Sequence, residues 1–393
     1  MDKPRFSRRS LILPVYLPAL LLAFGQGVVT PTFAIYVKSF SLSYTLTTFV
    51  IAIVVVGNLP AGILVERIGR RPSMIIGAIL DALSMLGIGF ATNVFQLIIY
   101  RLIGGLGGTL WSLSRHAYMT DVIPRTERGR SIALFGGINR IGVFGGQVIA
   151  IFLGASLRTP FFVYFAVGVL TSVLCILAVT ETRDSSASPS SLDLTRLPRL
   201  LKAHYRTLLT AGFAQICVQT LRQGRWVVVP LYASEIVDLP ARTIRLIVMI
   251  SSAVDMSLFP LAGFLMDRFG RRYSAVPCFL IFATGMALMP FTGRFGTLLG
   301  TAILIGIGNG VGSGIMMTLG ADLAPRDGTA EFLGMWRLLG DFGGAAGHLV
   351  VGNVADLWGL SASSFVLAGI GYFAVLLFLR AVPETLNSEP RTG

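Results

Sequence analysis

The stretch Gly62-Ile-Leu-Val-Glu-Arg-Ile-Gly-Arg-Arg71 returns 201 residues later as Gly263-Phe-Leu-Met-Asp-Arg-Phe-Gly-Arg-Arg272, identical at six of ten positions. Each copy is a short basic turn between two apolar runs. The same offset carries Asp121 and Pro124 onto Asp322 and Pro325. After a four-residue contraction, Gly137 and Arg140 fall on Gly334 and Arg337. Landmarks kept in order over this distance mark an internal duplication.

The surrounding sequence says what was duplicated. Of 393 residues 54% are hydrophobic and 13% charged, 45 are glycine, and the mean hydropathy is +0.75. A soluble domain carries about 25% charged residues, so an ordinary water-soluble fold is excluded. About 20 apolar residues cross a bilayer as a helix. Apolar runs place spans 1 to 6 at 11–36, 42–65, 73–91, 94–119, 131–154 and 161–180, and spans 7 to 12 at 206–232, 243–266, 274–292, 296–320, 331–354 and 362–380. Residues 181–204 are the one polar stretch long enough to link two sets of six. The expected organisation is an N-terminal half over 1–180, a cytoplasmic linker over 181–204 and a C-terminal half over 205–393.

The formal charge of +13 would suggest nucleic acid in a soluble protein, but its distribution excludes that partner. With the N terminus inside, and with Arg206, Arg245 and Arg380 at the span edges counted with the segments they border, 21 Lys and Arg fall in cytoplasmic segments, 5 on the far side and 6 within spans, which is a positive-inside bias. The expectation is a multi-pass protein of the plasma membrane, or of the inner membrane of a Gram-negative cell, with both termini cytoplasmic. The basic N-terminal segment reads as an anchor for a retained first span. Cys175, Cys217 and Cys278 lie in apolar runs without metal-type spacing, so no metal or other cofactor is expected.

The repeated loop, with Glu66 where Asp is more usual, resembles the signature loop of the major facilitator superfamily. That resemblance implies an all-α membrane protein of twelve transmembrane helices in two pseudo-symmetric six-helix halves around a central cavity, working as a monomer by alternating access. It also implies a cytoplasmic gate formed by Gly62, Glu66, Arg70 and Asp121, with Gly263, Asp267 and Arg271 as their counterparts. Arg70 would pair with Asp121, and Glu66 would sit near the N terminus of span 11. Arg101 with Gly104, Gly105, Gly107 and Gly108 is similar to a span 4 pattern linked to proton transfer. Gly137, Gly142, Gly145 and Gly146 resemble the span 5 motif of drug antiporters, without its usual Gly-Pro step.

Ionisable residues inside spans are costly and therefore informative. Arg140 and Arg337, equivalent in the repeat, would form a cationic substrate site. Gln215, Gln219, Arg222 and Trp226 share one face of span 7, and Gln26, Arg115, His116, Asn309 and Ser313 are further lining candidates. Arg225 is expected to snorkel outward. Asp341 or Asp255, with Arg101, would handle the coupling proton, while Asp81 reads as structural.

A cavity rich in arginine suits a small organic anion, zwitterion or amphipathic acid. The alternative is a proton-driven multidrug efflux antiporter, kept open by the span 5 glycines. No nucleotide-binding loop or nucleophile motif is present, so neither direct ATP use nor an enzyme is expected.

Overall fold

The computed structural model describes residues 8–58, 61–182, 203–325 and 328–386. Among these residues every regular element is helical, the form that satisfies backbone polar groups within one segment in hydrocarbon. Ten expected spans coincide with single helices: Leu17–Lys38, Arg70–Phe90, Val94–Val122, Arg125–Phe152, Thr159–Ala178, Phe213–Glu235, Ala241–Phe269, Arg271–Leu288, Thr329–Trp358 and Leu360–Arg380. Span 2 is divided into Tyr44–Ala52, a 3-10 stretch Ile53–Asn58, and Ala61–Ile68; span 10 is divided into Phe295–Val311 and Ile315–Leu323. The break in span 10 falls where Gly314 adopts φ +83°, a conformation that only glycine takes without strain. Most of the expected linker lies outside the described residues.

Nine of the described helical stretches are long and apolar enough to cross a membrane unaided. The other three spans fall short for visible reasons. Span 2 is interrupted, span 7 carries Gln215, Gln219, Arg222 and Arg225, and span 11 carries Arg337, Asp341 and His348. Helices this polar need packed or hydrated surroundings.

The chain divides into two compact units. The first takes in Met1–Leu42, Val50–Ser190 and Pro240–Leu246; the second takes in Ser43–Phe49, Ser191–Leu239 and Ile247–Gly393. Two short segments, 43–49 and 240–246, thus group apart from their neighbours in sequence.

Glycine sets the closest helix contacts in each unit. In the first, spans 1 and 5 touch backbone to backbone: a Cβ at Gly142 would lie 2.6 Å from the Leu20 carbonyl oxygen, and one at Gly146 would collide with that of Phe24. In the second, Gly343, the repeat equivalent of Gly146, lies against the Ile216 carbonyl, where a Cβ would be 2.5 Å away. Small residues at such crossings let dispersion and weak polar contacts act at short range, where hydrophobic burial contributes nothing between helices in lipid. Gly137, by contrast, has nothing within 4 Å of its absent Cβ.

The span 5 glycines can therefore be separated by experiment. Gly146→Val should cost roughly 1–3 kcal/mol through overpacking and lower the melting temperature in detergent, whereas Gly137→Ala should leave it unchanged or slightly raised. Thermal unfolding of the purified variants checks this, and equal losses at both positions would contradict the packing account.

Candidate functional site

The signature loop is built the same way in both units. Gly69 (φ +99°) and Gly270 (φ +96°) turn the chain so that the next helices begin at Arg70 and Arg271. Arg70 Nε lies 3.4 Å from Asp121 Oδ2, the expected pairing, and Arg271 Nε lies 2.9 Å from Asp322 Oδ2. Arg271 also reaches Asp267 at 3.8 Å. Thr182 and Thr385 each donate to the paired aspartate, at 2.9 and 2.7 Å. Nothing near Gly263 opposes a side chain. The surroundings of Gly62 and the side chain of Glu66, and hence the expected approach of Glu66 to span 11, lie outside what the structure describes.

Two residues of this constellation escaped the sequence reading. Glu181 accepts from the backbone N–H groups of Arg70 and Arg71 at 3.1 and 3.2 Å, and Glu384 from those of Arg271 and Arg272 at 2.9 and 3.0 Å. An acid on the orphan donors of a helix N terminus satisfies both hydrogen bonding and the helix dipole. The signal was present as Glu-Thr following spans 6 and 12, at Glu181-Thr182 and Glu384-Thr385.

Inside the first unit, glycines again govern placement. Gly77 and Gly107 bring spans 3 and 4 together, and Gly105 lets span 4 approach the Val54 carbonyl of span 2. Arg101 Nη2 thereby donates to the Ile51 carbonyl at 2.9 Å, just before the 3-10 break, and its guanidinium stands 4.6 Å from the Phe33 ring centroid. Asp81, 7% exposed, accepts a 2.6 Å hydrogen bond from Tyr164. Arg115 is buried between Trp111 and Phe135, 4.4 and 4.0 Å from their ring centroids, beside His116. Aromatic faces thus take up the charge expected to line a cavity. Gln26 is exposed on span 1, and Arg140 is half-buried on span 5.

The second unit brings together a different set. Arg225 is buried, with Nη2 3.4 Å from Asp255 Oδ2 and its guanidinium 4.4 Å from the Trp226 ring centroid. It does not snorkel, because span 8 supplies a carboxylate. The Asn309 amide donates to the same Asp255 oxygen. A cavity of about 20 Å³, bordered by Arg225, Trp226 and Ser251, adjoins this cluster; it has room for about one water. Arg222 Nη2 donates to the Gly312 carbonyl at 2.8 Å, where span 10 breaks. Arg337 and Asp341 approach to 3.9 Å with side chains 56% and 48% exposed. The Gln215 amide lies 2.7 Å from where a Cβ at Gly340 would be, and Gln219 lies beside it, so the polar face of span 7 meets the same stretch of span 11.

A further arginine was missed because it sits at the edge of span 8. Arg245 is 0% exposed and donates to Thr32 Oγ1 at 3.0 Å and to the carbonyls of Ala150, Gly154 and Ser156 at 3.1, 2.7 and 2.9 Å. It seals the C-terminal end of the Arg125–Phe152 helix.

Two helical units with matching charged loops define a multi-pass membrane protein of duplicated build, and comparison with known proteins gives the family. The chain belongs to the Major Facilitator Superfamily, whose description matches residues 15–221 and again 211–393. It is 24% identical over 326 residues to the Multidrug resistance protein MdtH of Escherichia coli O9:H4 (strain HS), covering 80% of this chain and 79% of that one. Among solved structures, a D-xylose-proton symporter matches with a TM-score of 0.76 at 19% identity, covering 96% of this chain and 98% of that one. A bacterial homolog to the human lysosomal transporter Spinster reaches 0.78 at 15%, covering 97% of each chain. The human organic anion transporter MFSD10 (TETRAN) reaches 0.66 at 16%, covering 96% and 100%. The likeness in structure establishes the fold, and the chain is a transporter of this superfamily.

The acid caps carry a pH signature. Burial alone would raise the Glu384 carboxyl, but N–H donors of Leu386, Arg271, Thr385 and Arg272 together outweigh it and hold the group below the ordinary glutamate range. A carboxylate depressed in this way contributes stability above its unfolded pKa and loses it as pH falls through the folded value. Glu384→Gln should therefore melt below the parent at pH 7, and the gap should close as pH is taken below about 4. Melting curves across that range check it, and a gap that widens in acid would contradict the capping role.

Proposed function

We propose that this chain is a proton-coupled secondary transporter, working by alternating access, whose substrate is a small organic anion, zwitterion or amphipathic acid. The observation that carries this reading is the Arg337–Asp341 pair. It lies about 12 to 18 Å along the Thr329–Trp358 helix at 1.5 Å per residue, half-exposed and loosely closed at 3.9 Å. A charge pair at that depth does not face hydrocarbon. It lines a polar space, beside Gln215 and Gln219, and the guanidinium offers a carboxylate two parallel donors. Arg140, its repeat equivalent, is the second cation of the proposed site, and Trp226, Asn309 and Gln26 supply aromatic and amide contacts.

In this reading Arg222, which donates to the Gly312 carbonyl, turns to the ligand when one arrives. Asp341 senses the ligand because an anion on Arg337 competes for the same guanidinium. Asp255, already shared by Arg225 and Asn309, is the second acid of the cycle, and Arg101 is the cation of the first unit. Charge bias supports cytoplasmic termini, and the chain works as a monomer. The names of the solved relatives include a proton symporter and an organic anion transporter, which accords with this assignment.

A second reading, multidrug efflux, is favoured by the relatives named as multidrug resistance proteins. In that case Asp341 or Asp255, rather than the arginines, meets a cationic ligand. Benzoate and tetraphenylphosphonium separate the two. Purified protein should bind benzoate, and Arg337→Gln and Arg140→Gln should each weaken that binding roughly ten- to a hundredfold, the loss of one charge-assisted hydrogen bond. Arg337→Lys should restore part of it. Binding of tetraphenylphosphonium alone, unchanged in the arginine variants but lost in Asp341→Asn, would overturn the anion reading and install the multidrug one. Melting temperatures identify variants that bind poorly because they are unfolded.

A further inference from the structure

Asp81 belongs neither to the gate nor to the face formed by spans 7 and 11, yet it is the one carboxylate among the described residues that is fully buried. Its surroundings are not those of a static ion pair. Tyr164, itself 2% exposed, donates to Asp81 Oδ2 at 2.6 Å. Span 4, which bears Arg101, passes close by, since a Cβ at Gly104 would lie 3.9 Å from Asp81 Oδ1, but Arg101 Nη2 is committed to the Ile51 carbonyl, and the two residues form no ion pair. On its other side the Tyr164 ring packs against span 1, where a Cβ at Gly25 would lie 2.9 Å from Cδ2, and the next residue, Gln26, is exposed. A hydroxyl on span 6 thus stands between span 1, with its exposed Gln26, and a buried acid on span 3.

We propose that Asp81 is a proton-binding site of the transport cycle, loaded through the Tyr164 hydroxyl, and that its charge sets the position of Arg101. The transfer needs only a proton from solvent. A hydronium ion on the Gln26 side gives a proton to the Tyr164 oxygen as the phenol proton passes to Asp81 Oδ2, leaving a water molecule, a neutral carboxylic acid and an unchanged tyrosine. With Asp81 neutral, Arg101 stays on the Ile51 carbonyl and holds span 2 at its 3-10 break. With Asp81 ionised, the guanidinium gains a partner in a low-dielectric site and leaves that carbonyl. Span 2 runs on through Ala61–Ile68 into the signature loop, so release at Ile51 frees the helix that bears the gate.

Every charged or titratable neighbour supports this role. Span 4 contributes Arg101 and span 6 contributes Tyr164. The lower piece of span 2 carries Glu66 and Arg67 only at its far, loop end. Gly104 and Gly107 matter as well. A Cβ at Gly107 would meet the Asp81 backbone nitrogen at 2.6 Å, and one at Gly104 the Ser84 hydroxyl at 2.7 Å, so span 4 comes close enough for Arg101 to feel the acid.

The inference rests on the proposed proton coupling, and the test separates the two. Infrared difference spectra of the full-length protein in lipid, recorded between about pH 5 and 9, should show a carboxylic-acid stretch that titrates. That band should be absent in Asp81→Asn and shifted in frequency in Tyr164→Phe, which loses the hydrogen bond but keeps the acid. In proteoliposomes carrying a trapped pH dye, with benzoate and tetraphenylphosphonium as probes, Asp81→Asn should lose at least about tenfold of gradient-driven accumulation. Its exchange of the same probe without a gradient should stay within a fewfold of the parent. Tyr164→Phe should slow proton entry, again with exchange retained, and it carries the test if Asp81→Asn does not fold. A titrating band and gradient-driven uptake that both survive in Asp81→Asn, or no change of either kind in Tyr164→Phe, would overturn the assignment. If the band is that of Asp81 but the parent responds to no pH gradient, the proton site stands and the coupled-transport reading falls.

Discussion

A guanidinium enclosed in a membrane protein must be given something to hold, because hydrocarbon offers it nothing. In this chain the ends and breaks of helices repeatedly answer that demand. Arg101 takes the Ile51 carbonyl ahead of a 3-10 stretch, Arg222 takes the Gly312 carbonyl where span 10 breaks, and Arg245 takes three carbonyls at the end of span 5. Carbonyls at a helix C terminus lack intrahelical donors and lie at the negative end of the dipole. One contact therefore relieves two deficits. Helix irregularity and buried charge, each unfavourable alone, are mutually compensating here. Where no helix end is near, aromatic faces enclose Arg115 and a carboxylate meets Arg225.

That principle explains which parts of the fold were legible in the sequence. Span positions follow from hydropathy and turn residues, both local properties, and the helices match them closely. The duplicated loop was legible because its chemistry is local too: a glycine that must turn, and arginines that follow it. Glu181 and Glu384 were not recognised, although each follows a span in plain view, because an acid acting on another helix's N–H groups leaves no spacing pattern with them. The same holds for Arg225. Its position suggested snorkelling, and only the packing of span 8 against span 7 reveals Asp255. The neighbourhood of Asp81 was hidden for the same reason: the glycine contacts between spans 3 and 4 join distant segments and cannot be read from one sequence.

The two units keep the same signature-loop constellation but have diverged inside. The first places a buried acid on span 3 with a tyrosine; the second places a partly buried one on span 8 with an arginine and an asparagine on the same oxygen. Repetition is thus strictest at the signature loops and loosest around the charges inside each unit.

The position of Glu384 has a practical consequence for trimming the chain. The last helix ends at Arg380, so a truncation just past it would remove no transmembrane residue and would look harmless on any hydropathy plot. It would nonetheless strip the acceptor from the Arg271 and Arg272 N–H groups and the threonine hydroxyl from Asp322. The ninth helix would begin uncapped. A fusion tag or engineered stop is therefore safe only beyond Leu386, whose own N–H also closes on that carboxylate.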